Sequence, residues 1–207
     1  GTYIENVSIG IDKILISTSG PEYTIIDGSS SGTTVYYSQN INISISGFTI
    51  TGGISSVDEY AVGSMYMGGG IGGGGDSFNF LNANISNMIF INNAIDINLR
   101  FQSNNETSSA QISNSTFIVD RNYPTIESLN HPTTITNCIF FENSDEGSYD
   151  IIFPEDFDEN TRIISHSLFF PNMNNLGLIT DDGTNLIGNP LFCNFERTLF
   201  SNIALRE

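Results

Sequence analysis

The chain has 207 residues, 23 acidic and six basic side chains, and a formal charge of −17, a balance that repels nucleic acid and anionic membranes and argues against both as partners. Thirty Ile, 25 Asn, 20 Gly and 42 Ser and Thr stand against five Ala and a single Lys, Lys13, which excludes a helical bundle in favour of strands and turns. Charged residues make up only 14%, too few for simple disorder in so apolar a chain, and the length suits one domain over 1–207 or one stretch of a longer repeat array.

The opening Gly1-Thr2-Tyr3-Ile4-Glu5 carries neither an initiator Met nor a charged-then-apolar leader, so the expectation is a processed protein or an excised piece. No apolar run approaches the ~18 residues of a bilayer span, and no membrane insertion is expected. From Ile45 onward the sequence repeats. ISGFTITGG (Ile45 to Gly53), ISNMIFINN (Ile85 to Asn93), ISNSTFIVD (Ile112 to Asp120), ITNCIFFEN (Ile135 to Asn143) and ISHSLFFPN (Ile164 to Asn172) align without gaps, their starts 40, 27, 23 and 29 residues apart.

Position one is always Ile, position two Ser or Thr, and position six Ile50, Phe90, Phe117, Phe140 or Phe169. Positions three (Gly47, Asn87, Asn114, Asn137, His166) and nine (Gly53, Asn93, Asp120, Asn143, Asn172) hold the residues that best tolerate positive φ. Each segment therefore predicts two short strands separated by a corner at position three and closed by another at position nine. A chain that turns the same corner at this interval winds a solenoid, with equivalent residues stacked about 4.8 Å apart in parallel strands. Positions one and six become inward columns. Asn side chains form ladders along the corners. The hydroxyls of Ser46, Ser86, Ser113, Thr136 and Ser165 satisfy backbone groups beside the corner.

Between the first two segments, residues 68–75 predict a Gly-rich loop. A phosphate cradle would need a Lys near the glycines and a following helix, and Asp76-Ser77-Phe78-Asn79 follows instead. Two cysteines, Cys138 and Cys193, read as small buried groups, with one disulfide as the alternative. Residues 142–160 form an acidic loop holding eight of the 23 acids. Within it, Asp156, Asp158 and Asn160 place three oxygen ligands at the spacing that starts a Ca²⁺ loop, although Thr161 stands where such a loop needs Gly and Ser167 where it needs a bidentate Glu. Ca²⁺ is the one cofactor the sequence suggests; the other reading of the loop is a solvated face.

Gly1 to Ile9, Tyr23 to Gly28 and Ile45 to Gly53 resemble the opening coils of right-handed parallel β-helix proteins, the pectin-lyase-like superfamily. Ile187-Gly188-Asn189-Pro190-Leu191-Phe192 is similar to the segment that closes such helices. Gly69-Gly70-Ile71 and the Phe-x-x-Asn tetrapeptides at Phe90 and Phe140 also resemble repeats of polymorphic outer-membrane adhesins. The resemblance implies an all-β, right-handed parallel β-helix of about seven or eight coils, taking ~25 residues each. It leaves activity open, because the scaffold hosts lyases, hydrolases, epimerases, adhesins and tailspikes.

Lyases of this superfamily pair Ca²⁺-binding acids with an Arg or Lys base, and its galacturonan hydrolases carry Asp pairs with Gly-His-Gly and Arg-x-Lys elements. Here Lys13, Arg100, Arg121, Arg162, Arg197 and Arg206 are scattered singly, and neither His131 nor His166 lies in Gly-His-Gly. Asp181-Asp182 leads into Gly183-Thr184-Asn185 and reads as a turn. No catalytic residue is assigned. The expectation is an extracellular or cell-surface structural or adhesive module that recognises protein or neutral glycan and stacks end to end into a fibre. The alternative is a polysaccharide-active lyase or glycoside hydrolase.

Overall fold

The computed structural model describes residues 1–37, 41–54, 56–57, 66–67, 69–73, 80–99, 109–119, 125–128, 132–142, 151–152, 162–170 and 180–189. The first coil comprises β1 (Thr2–Ile4), β2 (Val7–Ile9) and β3 (Lys13–Ile16), and the second β4 (Ile25–Asp27), β5 (Val35–Tyr37) and β6 (Ile41–Ser46). After β7 (Thr49–Thr51) an antiparallel pair, β8 (Ser56–Val57) and β9 (Tyr66–Met67), interrupts the third coil before β10 (Ile71–Gly73) and β11 (Phe80–Ser86) complete it. Then come β12 (Ile89–Ile91), β13 (Ile97–Leu99) and β14 (Ser109–Ser113), and β15 (Thr116–Val119), β16 (Ile126–Ser128) and β17 (Thr133–Thr136). β18 (Ile139–Glu142), β19 (Ile151–Ile152) and β20 (Arg162–Ser165) follow, and β21 (Leu168–Phe170), β22 (Thr180–Asp181) and β23 (Leu186–Ile187) end the series.

Each of the first six coils contributes one strand to each of three parallel sheets; of the seventh, β21 and β22 are described, and of the eighth β23. Sheet A is β1-β4-β7-β12-β15-β18-β21-β23, sheet B is β2-β5-β10-β13-β16-β19, and sheet C is β3-β6-β11-β14-β17-β20-β22. This is an all-β parallel solenoid, a β-helix. Among the described residues, eight strands in sheet A and seven in sheet C match the seven or eight coils expected.

Local pattern explains the strands. Ile41-Asn42-Ile43-Ser44-Ile45-Ser46 alternates apolar and polar, and its odd positions are buried while its even positions are half-buried. Register then turns local pattern into a core. Ile45 pairs with Ile85, Ile85 with Ile112, Ile112 with Ile135, and Ile135 with Ile164. All five are 0% exposed and form one interior column of sheet C. In sheet A the column Ile50-Phe90-Phe117-Phe140-Phe169 is equally buried. The four Phe rings stack at centroid distances of 5.0, 4.8 and 4.9 Å and within 7° of parallel. Stacking at the rung spacing adds about 0.5–1.5 kcal/mol per pair beyond area burial.

The position-three corner is as the sequence predicts: Gly47, Asn87, Asn114, Asn137 and His166 have φ of 85°, 54°, 51°, 55° and 51°. An Asn ladder is present where Asn137 Nδ2 donates to Asn114 Oδ1 at 2.6 Å. The closing corner falls one residue earlier than predicted. Gly52 (φ 68°) and Asn92 (φ 55°), at position eight, take the left-handed conformation. Asn93, at position nine, instead turns its amide inward. It accepts from Gly53 N (3.0 Å) and donates to Ile50 O (2.9 Å) and Asp96 Oδ1 (3.1 Å), satisfying buried groups that the corner opens. Asp120, Asn143 and Asn172 lie outside the described residues.

The Gly-rich segment also differs from expectation, since Ile71–Gly73 is strand β10, paired on both sides. The glycines are there for close approach. A Cβ on Gly69 would sit 2.1 Å from Ile95 O, and one on Gly73 would sit 2.7 Å from the Tyr37 ring. The N–H groups of Gly70 and Ile71 already donate to Ile95 O (2.7 Å) and Asp96 O (2.9 Å), so neither is open to a phosphate.

Candidate functional site

The outer face of sheet C carries three parallel columns of short polar side chains, because the outward positions of β6, β11, β14 and β17 fall in register. The first column is an interlocked chain. Asp12 accepts from Asn42 N (2.8 Å) and Asn42 Nδ2 (3.0 Å), Asn82 Nδ2 donates to Asn42 Oδ1 (3.0 Å), and Ser109 Oγ donates to Asn82 Oδ1 (3.1 Å). The Asn42 side-chain and backbone donors hold the Asp12 carboxyl below the usual carboxylate range. The third column is the position-two hydroxyls: Ser86 Oγ donates to Ser46 Oγ at 3.3 Å, and Thr136 and Ser165 share a hydrogen bond at 2.8 Å. These hydroxyls bond along the ladder. The backbone beside the corner is served instead by position four, where Ser115 accepts from Met88 N (3.2 Å) and Ser167 from Cys138 N (3.1 Å).

Between them runs the column Ile14, Ser44, Asn84, Gln111, Thr134, Ile163. Among the described residues, no hydrogen bond engages the side chains of Ser44, Asn84, Gln111 or Thr134, and the last three are exposed. A shallow groove of about 610 Å³ lies over the first two columns, lined by Asp12, Lys13, Asn42, Asn82, Asn84 and Gln111 among others. Only Asp12 and Lys13 in its lining are charged. Sequence pattern marks these positions as outward, but register alone shows which of the amides have no partner.

The residues singled out in the sequence are placed unevenly. Asp156, Asp158 and Asn160, the Ca²⁺ candidates, lie outside the described residues, as do His131 and Cys193. Among the described residues no three His, Cys, Asp or Glu side chains cluster as a metal site. Cys138 is buried, and desolvation pushes its thiol up to about 12, which fits an inert core group. His166 occupies its corner, where its N–H donates to Thr184 Oγ1 at 2.8 Å and Nδ1 lies 3.5 Å from the same oxygen. Asp182 Oδ1 accepts from both Thr184 N (2.9 Å) and the Thr184 hydroxyl, and these bonds, helped by His166, hold its carboxyl low. In a Ser-His-Asp arrangement the carboxylate orients the imidazole. Here it orients the hydroxyl, so the three form a turn, as the sequence suggested for Asp181-Asp182.

Two acids missed by sequence reasoning are buried. Glu127, 8% exposed, stands on the outward row of sheet B and accepts from Asn98 Nδ2 at 2.8 Å. Asp96, 4% exposed, sits at the corner entering β13, where burial raises its carboxyl to about 8 despite the Asn93 hydrogen bond. No local motif distinguishes either from a surface acid. No helix among the described residues is long and apolar enough to cross a membrane. No protein-family model, curated protein or solved structure matches the chain.

Proposed function

We propose that the chain is an extracellular or cell-surface β-helix module of the pectin-lyase-like superfamily, with a structural and adhesive role, recognising protein or neutral glycan. The observation that carries this reading is the outer face of sheet C: a regular, nearly uncharged array of amides and hydroxyls on a chain of charge −17. Such a face offers hydrogen bonds without attracting either sign of charge. Contact over many rungs suits a rigid solenoid whose neighbouring coils hold each other in place. The reading includes end-to-end stacking of such modules into a fibre.

The test is a glycan and surface-protein array probed with the purified chain, alongside light scattering at rising concentration. Retention on neutral glycans or surface proteins, with mass rising with concentration, is expected. A monodisperse monomer that binds neither would refute the reading. A second reading, a polysaccharide lyase or glycoside hydrolase, is favoured by the buried Glu127–Asn98 pair on sheet B. Release of reducing or unsaturated ends from a polysaccharide, abolished by Glu127→Gln, would establish it in place of the first.

A further inference from the structure

Resting on the adhesive reading, we infer that the middle column of sheet C is a binding site for an extended, uncharged, β-linked glycan chain lying along the solenoid axis. Three observations converge. The side chains of Ser44, Asn84, Gln111 and Thr134 come from four successive rungs and are about 4.8 Å apart. An extended chain of pyranose rings advances by nearly one rung per ring, so each sugar meets an equivalent side chain. Carboxamides and hydroxyls both donate and accept, as do vicinal sugar hydroxyls.

The second observation is what surrounds the column. On one side Asp12, Asn42, Asn82 and Ser109 bond to one another, and on the other Ser86 bonds to Ser46 and Thr136 to Ser165. These flanks hold their own rotamers, while the exposed middle column keeps its hydrogen-bonding capacity open to a ligand. Preorganised walls reduce the ordering cost of binding.

The third is the character of the face. Apart from Asp12 and Lys13, at one end and of opposite sign, the groove lining is uncharged, which disfavours uronates and sulfated chains. Ile14 (71% exposed), next to Ser44, and Ile163 (39% exposed), between Thr134 and Thr180 in the same row, flank the four polar side chains and offer apolar contact to the CH faces of sugar rings. A protein ligand would need the aromatic and apolar centre typical of protein interfaces, and an added strand would need a sheet edge; the middle of this face offers neither.

The site is tested by calorimetric titration of cellohexaose, a neutral β-1,4-linked chain, into the full chain, with hexagalacturonate, an anionic α-1,4-linked chain, as the contrasting ligand. Cellohexaose should bind with Kd on the order of 1 mM or tighter, and hexagalacturonate should not. Asn84→Ala and Gln111→Ala should each weaken binding about fivefold, and the double variant more than either. Both side chains are exposed, so melting temperature should stay put. Tyr23→Ala, on another surface, should bind like the parent. No saturable binding of cellohexaose, equal binding of hexagalacturonate, or binding unchanged in the double variant would overturn the site. So would a protein ligand held at this face by a chain that binds no glycan. If the double variant keeps neutral-glycan binding on the array, this site fails and the adhesive reading stands; if the parent binds neither glycan nor protein, both fail.

Discussion

Replacing Asp96 by Asn separates the electrostatic cost of a buried acid from the packing of the corner that holds it. Asp96 is 4% exposed, accepts from Asn93 Nδ2 at 3.1 Å, and has its carboxyl raised by desolvation from 3.8 to about 8. The folded form therefore prefers the protonated acid. Below about pH 4 the folded and unfolded chains both carry the proton, and its stabilising effect is fully present. As pH rises towards 8 the unfolded chain loses the proton and the folded chain keeps it, so stability falls by about 1.4 kcal/mol per pH unit. At pH 7 the accumulated loss is on the order of 4 kcal/mol, an upper bound because water entry and local relaxation reduce it. Asp96→Asn keeps an oxygen for Asn93 and removes the titration. Urea unfolding of both proteins between about pH 4 and pH 8 should show the variant gaining on the parent steadily as pH rises. The difference in slope matters, not the offset, because the amide changes packing at every pH equally. Parallel stability curves would refute the assignment of a neutral, buried Asp96.

Phe117→Ala removes a 0% exposed ring stacked between Phe90 and Phe140; the expected loss is about 3–5 kcal/mol in chemical denaturation, whereas Thr134→Ala, on the exposed outer face, should cost under about 0.5 kcal/mol. At the φ 51° corner, Asn114→Gly should be near neutral in melting temperature, and Asn114→Val should cost on the order of 1–2 kcal/mol because a branched Cβ crowds the left-handed conformation. Gly69→Ala should destabilise strongly, since its methyl would sit 2.1 Å from Ile95 O, and soluble yield with circular dichroism would report it. In a Cys193→Ser background, the native protein should resist thiol reagents at about pH 8 through Cys138, which is buried with its thiol raised to about 12, and react at once in denaturant. Rapid labelling of the native protein would contradict that burial.

Much of the fold was legible because its rules are local. Ile at position one follows the two-residue period of its strand, and the large apolar residue at position six recurs in every repeat. Gly47, Asn87, Asn114, Asn137 and His166 mark a left-handed corner by residue type alone. Position nine misled for a related reason. Asn serves equally as a left-handed residue and as a side-chain bridge, so Asn92 and Asn93 could not be told apart before the inward cavity was known. The glycines at 69–73 read as a loop because their purpose, close approach to Ile95 and Tyr37, involves residues distant in sequence.

The amino-acid sequence by itself determined the framework of the coil: its position-three corner and the inward Ile and Phe columns, since each depends on backbone preferences within a few residues. Tertiary structure decided what the coils make together. Only the pairing of rungs stacks Phe90 on Phe117, buries Asp96 and Glu127, and leaves Asn84 and Gln111 open between two self-bonded columns. A hydrogen bond or a burial cost depends on the neighbour one rung away, and that neighbour is some 23 to 40 residues distant along the chain.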